Sequence, residues 1–471
     1  MPFFAVLLTL VSLVAPPSSS LAWGTCAHDA GDQLGAYLDQ AGASCATLTV
    51  PVDYQRPSGP SVKVAVTRLQ ATDPAHRRGV LLLNPGGPGA SGLELAAAAP
   101  QLFPELLARY DVIGMDPRFT GRSDAIECDW TTDTFLRSAG PDRRTFDRSA
   151  ALMRTLAGGC AHDRARLPYA NTRNTARDID RLRRTLGQDK INYLGFSYGT
   201  YLGAVYLQMF GAHADRFVLD SAVDPSQYGP ALFARNAPAM QDALRQWAGF
   251  AAAHDDEYHL GATVPAVLAT VARLHRAQPI GAYRVDAEFL PAYLFSRLSQ
   301  ADYPTLSAEL AFFGKAGPLP ESLETYLRGL FTGEGNPADR YGTPILCADR
   351  PAGRDPGAYY RDIQAHRRDE PLFGPLTRNI SPCAFWPVRG AEPPTDLHTD
   401  RPVLVVGGDH DPITPYAGQE AMRRKLTGSS AVTLRGGYRH TVYKVAGNAC
   451  VDAVVTRYLL GSPVPKFSTC G

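Results

Sequence analysis

The chain has 471 residues, 45% of them hydrophobic, which is enough for a large buried core and too long for one small domain. Its 47 Lys and Arg residues balance 46 Asp and Glu residues, so net charge excludes strong electrostatic attraction to nucleic acid or to an anionic membrane surface. A small or neutral substrate fits this balance better.

The N-terminus has the pattern of a secretory signal. Residues 3–15 form an apolar run interrupted only by Thr9 and Ser12, and residues 20–22 offer a small-x-small cleavage site. The run is too short to span a bilayer with ordinary tilt, and no later stretch reaches the length of a membrane span. We predict a signal peptide over residues 1–22 and a secreted, extracellular protein, with a frayed or anchored N-terminus as the alternative.

The eight cysteines are even in number and dispersed, with no CxxC and no Cys/His cluster at metal spacing. This usage suits an oxidising compartment, although some of the cysteines could instead be free buried thiols. Their order favours bridges between neighbours. The favoured pairs are Cys26 with Cys45, Cys128 with Cys160, Cys347 with Cys383, and Cys450 with Cys470.

Short apolar runs predict buried strands in the first part of the chain. Alternation over residues 62–66 indicates an early strand, and the run at 80–83 ends in a glycine loop. Residues 112–114 form another strand that ends near polar side chains. Residues 175–186 carry apolar side chains at helical spacing with arginines on the other face, which predicts a surface helix.

The middle of the chain repeats this alternation of strand and helix. Residues 191–194 predict a strand, which a tight turn joins to a helix with apolar positions from 202 to 209. Residues 217–220 and 402–406 resemble further buried strands. Strands separated by helical stretches imply a doubly wound, mostly parallel sheet.

A change of character marks an insertion between two parts of this sheet. Helical patterns dominate at 240–253, 264–277 and 290–310, followed by Pro/Gly-rich connectors. We interpret the region as a cap over the carboxyl edge of the sheet. The predicted organisation is a signal at 1–22, a first core part at 23–225, a helical cap at 226–400 and a C-terminal core part at 401–471.

Residues 195–199 match G-x-S-x-G, in which the serine sits on a strained strand-to-helix turn. Glycines are needed there because larger neighbours would clash. The turn exposes the hydroxyl of Ser197 as a candidate nucleophile and places the N–H of Tyr198 at a helix N-terminus, toward a developing oxyanion. A glycine turn with an incidental serine is the alternative, and the flanking strand and helix weigh against it.

An acyl-transfer site needs a second N–H donor, which in such a sheet comes from the loop after an earlier strand. Residues 84–89 form a loop of this kind, rich in glycine that lets the backbone approach a substrate. We expect the N–H of Gly87 to complete the oxyanion hole, with Gly86 as second choice and a plain turn as the alternative.

A serine hydroxyl needs a base, and a carboxylate must hold that base in the right tautomer. Asp409, His410 and Asp411 follow the strand at 402–406, and His440 lies in a later glycine-flanked loop. We prefer His440 as the base because His410 precedes the last carboxylate instead of following it. The residues alone leave the choice between Asp409 and Asp411 open.

Four segments together resemble the secreted tripeptidyl aminopeptidases of the α/β-hydrolases, which are related to the proline iminopeptidases. The likeness runs from about Trp23 to Cys470. It implies an α/β-hydrolase fold with a helical cap, and a reaction that needs no metal or cofactor. The segments are residues 84–89 with Ser91 and Gly92, 116–123, 195–200 and 408–416.

By this resemblance the catalytic triad is Ser197, Asp411 and His440, with Asp411 taken from the D-P-x-T-P pattern and Asp409 left with a structural role. The stretches around Cys347 and Cys383 are similar to cysteine-bearing stretches of the family, which favours the bridge between them.

The chain departs from the family pattern in two places. Phe119 stands where relatives often have glycine, and residues 254–261 lack a cysteine that many relatives carry. Neither departure touches the triad, but both leave substrate preference open.

An N-terminal exopeptidase must bind a protonated α-amine, which requires a buried or half-buried carboxylate at the end of the acyl pocket. No single residue stands out in the sequence. The candidates are Asp224, Asp255, Asp256, Glu257 and Asp349.

Three functions compete for these residues. The first is a secreted serine exopeptidase that releases tripeptides, other short peptides or single residues from the free N-terminus of peptide substrates. The second is an esterase or amidase for small-molecule esters, since one triad serves both bonds. The third is a non-catalytic binding protein, against which the complete and ordered triad argues. We expect a monomer with no nucleic-acid partner.

Overall fold

The computed structural model describes residues 21–130, 132, 137–276, 278–314, 317–332 and 337–471, so all but two residues of the predicted signal lie outside the described residues. The strands are β1 (Ser44–Pro51), β2 (Ser61–Leu69), β3 (Val80–Asn84), β4 (Asp111–Met115), β5 (Ile191–Phe196), β6 (Ala214–Asp220), β7 (Gln278–Ile280), β8 (Tyr283–Val285), β9 (Val403–Gly408), β10 (Ser429–Leu434) and β11 (Phe467–Cys470).

The helices before β6 are α1 (Gln33–Gln40), α2 (Gly92–Ala97), α3 (Ala99–Leu102), α4 (Pro104–Leu107), α5 (Arg143–Gly159), α6 (Thr172–Thr185) and α7 (Tyr198–Phe210). Those between β6 and β9 are α8 (Ala237–Ala253), α9 (Asp255–Tyr258), α10 (Val264–Leu274), α11 (Leu290–Leu298), α12 (Tyr303–Leu310), α13 (Glu321–Thr332), α14 (Pro337–Asp349), α15 (Pro356–His366) and α16 (Gly374–Thr377). The last two are α17 (Tyr416–Lys425) and α18 (Ala449–Leu459).

Among the described residues, nine strands form one sheet in the order β1-β2-β4-β3-β5-β6-β9-β10-β11. The pairs β1–β2 and β2–β4 are antiparallel, and every pair from β4 to β11 is parallel. The predicted doubly wound, mostly parallel sheet is therefore confirmed. The sequence missed β1 and β11 because these edge strands mix polar and apolar side chains.

The inner strands are mostly apolar because both faces of the sheet are covered. In β3, Val80 and Leu82 pack in the cluster on one face, and Leu81 and Leu83 pack in the cluster on the other. This alternation is the period of a strand, and burial on both sides turns it into a continuous apolar run.

Helices α8 to α16 and the hairpin β7–β8 occupy the region that the sequence predicted as a cap. Most of them share an apolar cluster that includes the buried Trp247 and Tyr293. Helices α14 and α15 instead pack through Ile345 and Ile363 in the cluster on one face of the sheet. Ile413 and Tyr438, from the loops after β9 and β10, pack in the same cluster. Since those loops leave the carboxyl ends of parallel strands, the insertion packs on that edge of the sheet. The boundaries at 226 and 400 stay a prediction.

The helical pattern over residues 290–310 corresponds to two helices, α11 and α12. Ala301 has φ of 54°, a left-handed conformation that no continuing helix adopts. Asp302 then caps α12 by accepting the N–H of Thr305 at 3.3 Å. Local hydrogen bonding of this kind divides the helical pattern into two helices.

Helix α6 is largely buried, which corrects the prediction of a surface helix. Its Asp178 forms an ion pair with Arg118 at 2.6 Å, and both side chains are fully buried. Tyr54 donates a second hydrogen bond to Asp178 at 2.7 Å, and Arg118 donates to the carbonyl of Val52 at 2.9 Å. A buried charge pair of this kind is stable only because further hydrogen bonds satisfy it.

The structure contains four disulfides, and they join the neighbours that sequence order favoured. Their sequence separations are 19, 32, 36 and 20 residues, so each closes a short loop. The bridge between Cys347 and Cys383 lies within the insertion. No described helix combines the length and the apolar character needed to cross a membrane.

A buried carboxylate joins the insertion to the sheet domain. Asp349, the last residue of α14, accepts the N–H of Thr172 at 2.7 Å and the hydroxyls of Thr172 at 2.5 Å and Tyr228 at 2.8 Å. Burial raises the pKa of Asp349 to about 6, although these donors act in the opposite direction.

We expect Asp349→Asn to remove a pH-dependent penalty from the free energy of unfolding. The folded pKa of about 6 lies above the ordinary value of 3.8, so stability is full below the lower value and is lost as pH rises through the upper one. Relative to the variant, the wild type should lose up to about 3 kcal/mol between about pH 4 and about pH 7. Guanidinium unfolding measures this, with the exposed Asp256→Asn as control. A difference independent of pH would contradict it.

Candidate active site

Ser197 lies on the turn between β5 and α7 with φ of 54°, an uncommon conformation for a residue with a side chain. The turn packs against the end of β3. A Cβ at Gly199 would lie 2.7 Å from Oδ1 of Asn84, so only glycine permits this approach. The main-chain N–H of Ser197 donates to the carbonyl of Asp220 at 2.9 Å. The hydroxyl of Ser197 makes no hydrogen bond with any described residue.

The loop after β3 lies directly on this turn. Gly86 has φ of 100°, and a Cβ there would lie 2.5 Å from the carbonyl of Phe196 and 3.2 Å from the N of Tyr198. The N–H of Gly86 donates to Oδ1 of Asn84 at 3.1 Å. Within the described residues, the N–H groups of Gly87 and Tyr198 donate to no acceptor. These two groups remain available for an oxyanion, whereas that of Gly86 is already engaged.

Asp411 follows β9 and is fully buried. Its Oδ1 accepts the N–H groups of Ile413 at 2.8 Å and Thr414 at 3.0 Å, and its Oδ2 accepts the hydroxyl of Thr414 at 2.8 Å. These donors fix the carboxylate in one orientation. Thr414 had no predicted role, although the threonine of the D-P-x-T-P pattern was the available signal.

His440 lies in the loop after β10 with its side chain 16% exposed. Its Nδ1 is 2.9 Å from Oδ2 of Asp411. An Nδ1–H donated to the carboxylate leaves Nε2 as the acceptor on the ring, which is the tautomer that a base requires. The main-chain N–H of His440 donates to the carbonyl of Ser299 at 2.8 Å, so the insertion also holds this loop.

Asp409 and His410 form their hydrogen bonds with residues other than His440. Asp409 accepts the N–H of Gly437 at 3.2 Å. His410 pairs through Nδ1 with Asp242 of α8 at 2.8 Å and stacks on Tyr438 with ring centres 4.2 Å apart. The carboxylate that meets His440 is therefore that of Asp411, while His410 connects the same loop to the insertion.

The carboxylates considered for binding an amine do not converge on this site, and none makes a hydrogen bond to Ser197 or His440 within the described part of the chain. Asp349 is occupied by three donors. Asp224 accepts the N–H and hydroxyl of Ser226, and Asp255 accepts the N–H of Gly261. Asp256 and Glu257 are exposed.

Comparison with known proteins places the chain among hydrolases. The family model described as alpha/beta hydrolase fold matches residues 79–446. Tripeptidyl aminopeptidase of Streptomyces coelicolor is 34% identical over 90% of this chain and 82% of its own length. Serine protease Hip1 of Mycobacterium tuberculosis is 30% identical over 90% and 86%. Carboxylesterase B of Mycobacterium tuberculosis is 33% identical over 97% and 90%.

We expect Gly86→Ala to abolish most hydrolytic activity, because its Cβ would collide with the turn that carries Ser197 and force the loop away. The matched control is Gly42→Ala, since Gly42 also has positive φ (81°) but no atom within 4 Å of the added Cβ. Turnover of a p-nitrophenyl ester should fall about 10²-fold or more in the first variant and stay near wild type in the second. Equal activity of the two variants would contradict the proposed contact.

Proposed function

This chain belongs to the α/β-hydrolase family, and on that basis we propose that it is an exported serine aminopeptidase that releases short peptides, chiefly tripeptides, from a free N-terminus. It is a serine hydrolase related to tripeptidyl aminopeptidase and to a serine protease. The observation that carries the proposal is the pairing of buried Asp411 with His440 at 2.9 Å, beside the strained turn of Ser197.

The proposed reaction begins when Oγ of Ser197 attacks the scissile carbonyl carbon and its proton passes to Nε2 of His440. Asp411 accepts the Nδ1–H, keeps the ring in this tautomer and stabilises the imidazolium. The N–H groups of Gly87 and Tyr198 stabilise the negative oxygen of the tetrahedral intermediate. The intermediate collapses as the C–N bond breaks, and His440 returns the proton to the leaving amine.

Hydrolysis of the acyl-enzyme repeats these steps with water in place of the serine. His440 takes a proton from the water, the hydroxide attacks the ester carbonyl, and the same two N–H groups hold the second oxyanion. Ser197 leaves with the proton that His440 gives back. Each step uses groups of this chain alone.

Two features support export. The predicted signal precedes Trp23, and all eight cysteines are paired, as expected for an oxidising compartment. We further propose residues 226–400 as the cap that selects the substrate. The contacts of Ser299 with His440 and of Asp242 with His410 support this role, since they place the insertion beside the acid and base loops.

An esterase is the second candidate, favoured by the relative named carboxylesterase B that matches 97% of this chain. A Ser-Asp-His triad cleaves esters and amides by the same steps, so the two candidates differ only in how the acyl group is recognised. A peptidase of this kind must hold the α-ammonium of the substrate, whereas an esterase has no such requirement.

The test compares tripeptidyl aminomethylcoumarins with free and acetylated N-termini. We expect the free peptides to have kcat/KM about tenfold to 100-fold higher, the value of a charge-assisted hydrogen bond to the ammonium. Ser197→Ala should lower kcat roughly 10⁶-fold. Ser462→Ala, at an exposed serine, serves as the control and should leave kcat unchanged. Equal cleavage of free and blocked peptides would reject an aminopeptidase. Serine-dependent turnover of p-nitrophenyl butyrate alone would establish the esterase.

A further inference from the structure

A buried dipeptide at the end of β6 contacts both sides of the proposed catalytic centre. The carbonyl of Asp220 accepts the N–H of Ser197 at 2.9 Å. Ser221 accepts the N–H of Thr441, the residue after His440, on its Oγ at 2.9 Å. The N–H of Ser221 donates to the carbonyl of Val406 in β9 at 2.8 Å. The dipeptide Asp220–Ser221 thus connects the turn of Ser197, the loop of His440 and strand β9, which leads to Asp411.

The carboxylate of Asp220 strengthens this link. It is fully buried, and its Oδ2 accepts the N–H of Tyr443 at 2.7 Å and that of Val442 at 3.1 Å. Ser221 donates its hydroxyl to Oδ1 at 3.2 Å. Hydrogen bonds to an ionised acceptor are about twice as strong as neutral ones, so these fix the base loop firmly.

Strain is concentrated at the same point. Ser197, Ser221 and Thr441 have φ of 54°, 58° and 65°, and none of them is glycine. Such conformations are strained and persist only where the surroundings enforce them. The hydrogen bonds of Asp220 and Ser221 hold all three residues in these conformations.

Asp220 also brings a negative charge to the base. Burial raises its pKa to about 6, while the N–H groups of Tyr443 and Val442, the hydroxyl of Ser221 and the charge of His440 act in the opposite direction. Arg439 is the other charged group that faces it from the same loop. Above about pH 6 the side chain is an anion in a medium of low dielectric, where charges interact strongly.

We propose that Asp220 is a positioning residue for the hydrolytic reaction, which holds His440 against the turn of Ser197 and stabilises the imidazolium formed when His440 takes the hydroxyl proton of Ser197. This rests on the proposed triad. Asp411 orients the ring through Nδ1, whereas Asp220 acts through the backbone of residues 442 and 443 and through its charge. The triad thereby has a second carboxylate that does not touch the imidazole.

The decisive variant is Asp220→Asn, which keeps the shape and removes the charge. We expect kcat for a tripeptide amide and for a p-nitrophenyl ester to fall about 10²-fold while KM changes less than about twofold. The acidic limb of the kcat/KM profile should move to lower pH by at least about 0.5 unit, because a nearby anion no longer favours the imidazolium. Fluorophosphonate titration counts the competent sites, so misfolded protein is excluded from kcat.

The matched control is Asp452→Asn. Asp452 accepts the N–H of Lys444 at 2.8 Å and so anchors the same loop beyond the catalytic residue. We expect its kcat and pH profile to match the wild type.

Ser221→Gly, which tolerates the positive φ and loses the acceptor for Thr441, should lower kcat about tenfold and leave the acidic limb in place. This second variant decides the positioning role if Asp220→Asn does not fold.

Asp411→Asn and Ser197→Ala separate this proposal from the proposed triad. If both of these variants lose kcat while Asp220→Asn keeps the kcat and pH profile of the wild type, the proposed triad is supported and the role of Asp220 is rejected. If Asp220→Asn loses its kcat while Asp411→Asn remains active, Asp220 is itself the acid of the triad, and both proposals are overturned. If Asp452→Asn loses as much kcat as Asp220→Asn and neither moves the acidic limb, the effect is structural and the positioning role is rejected.

Discussion

The hydrogen bond between Asp411 and His440 is the interaction on which the site depends. It requires two loops separated by a strand and a helix to meet, and adjacent parallel strands allow this because their carboxyl ends lie side by side. β9 leads to Asp411, the proposed acid, and β10 leads to His440, the proposed base, at one edge of the sheet. β5, which β6 separates from β9, presents Ser197 at the same edge. The parallel arrangement of the strands therefore brings these three loops to one edge of the sheet.

The insertion shares this edge and is packed into the catalytic loops. Ile413 and Tyr438 belong to its apolar cluster, although they lie two residues from Asp411 and His440. Asn236 donates to the carbonyl of Ile413. A displacement of the insertion would thus move the loops of Asp411 and His440, so the position of the insertion and the geometry of the proposed triad are mechanically connected.

The sequence predicted the parts of this structure that depend on local pattern. Apolar runs located the inner strands, and the glycines around Ser197 located the turn. Features that depend on distant partners were missed: α6 is buried because Asp178 meets Arg118, 60 residues away. The contacts of Asp220 with Val442 and Tyr443 span more than 220 residues, and an aspartate at a strand end carries no sign of them.

The disulfides have a consequence for how the chain matures. Every bridge joins a cysteine to the next one along the chain, so the bridges never overlap or enclose one another. In the proposed export, a chain that emerges N-terminus first can close Cys26–Cys45 before Cys128 arrives, and so on to the last pair. Order of arrival then selects the native partners, and oxidation needs little help from an isomerase to reach them.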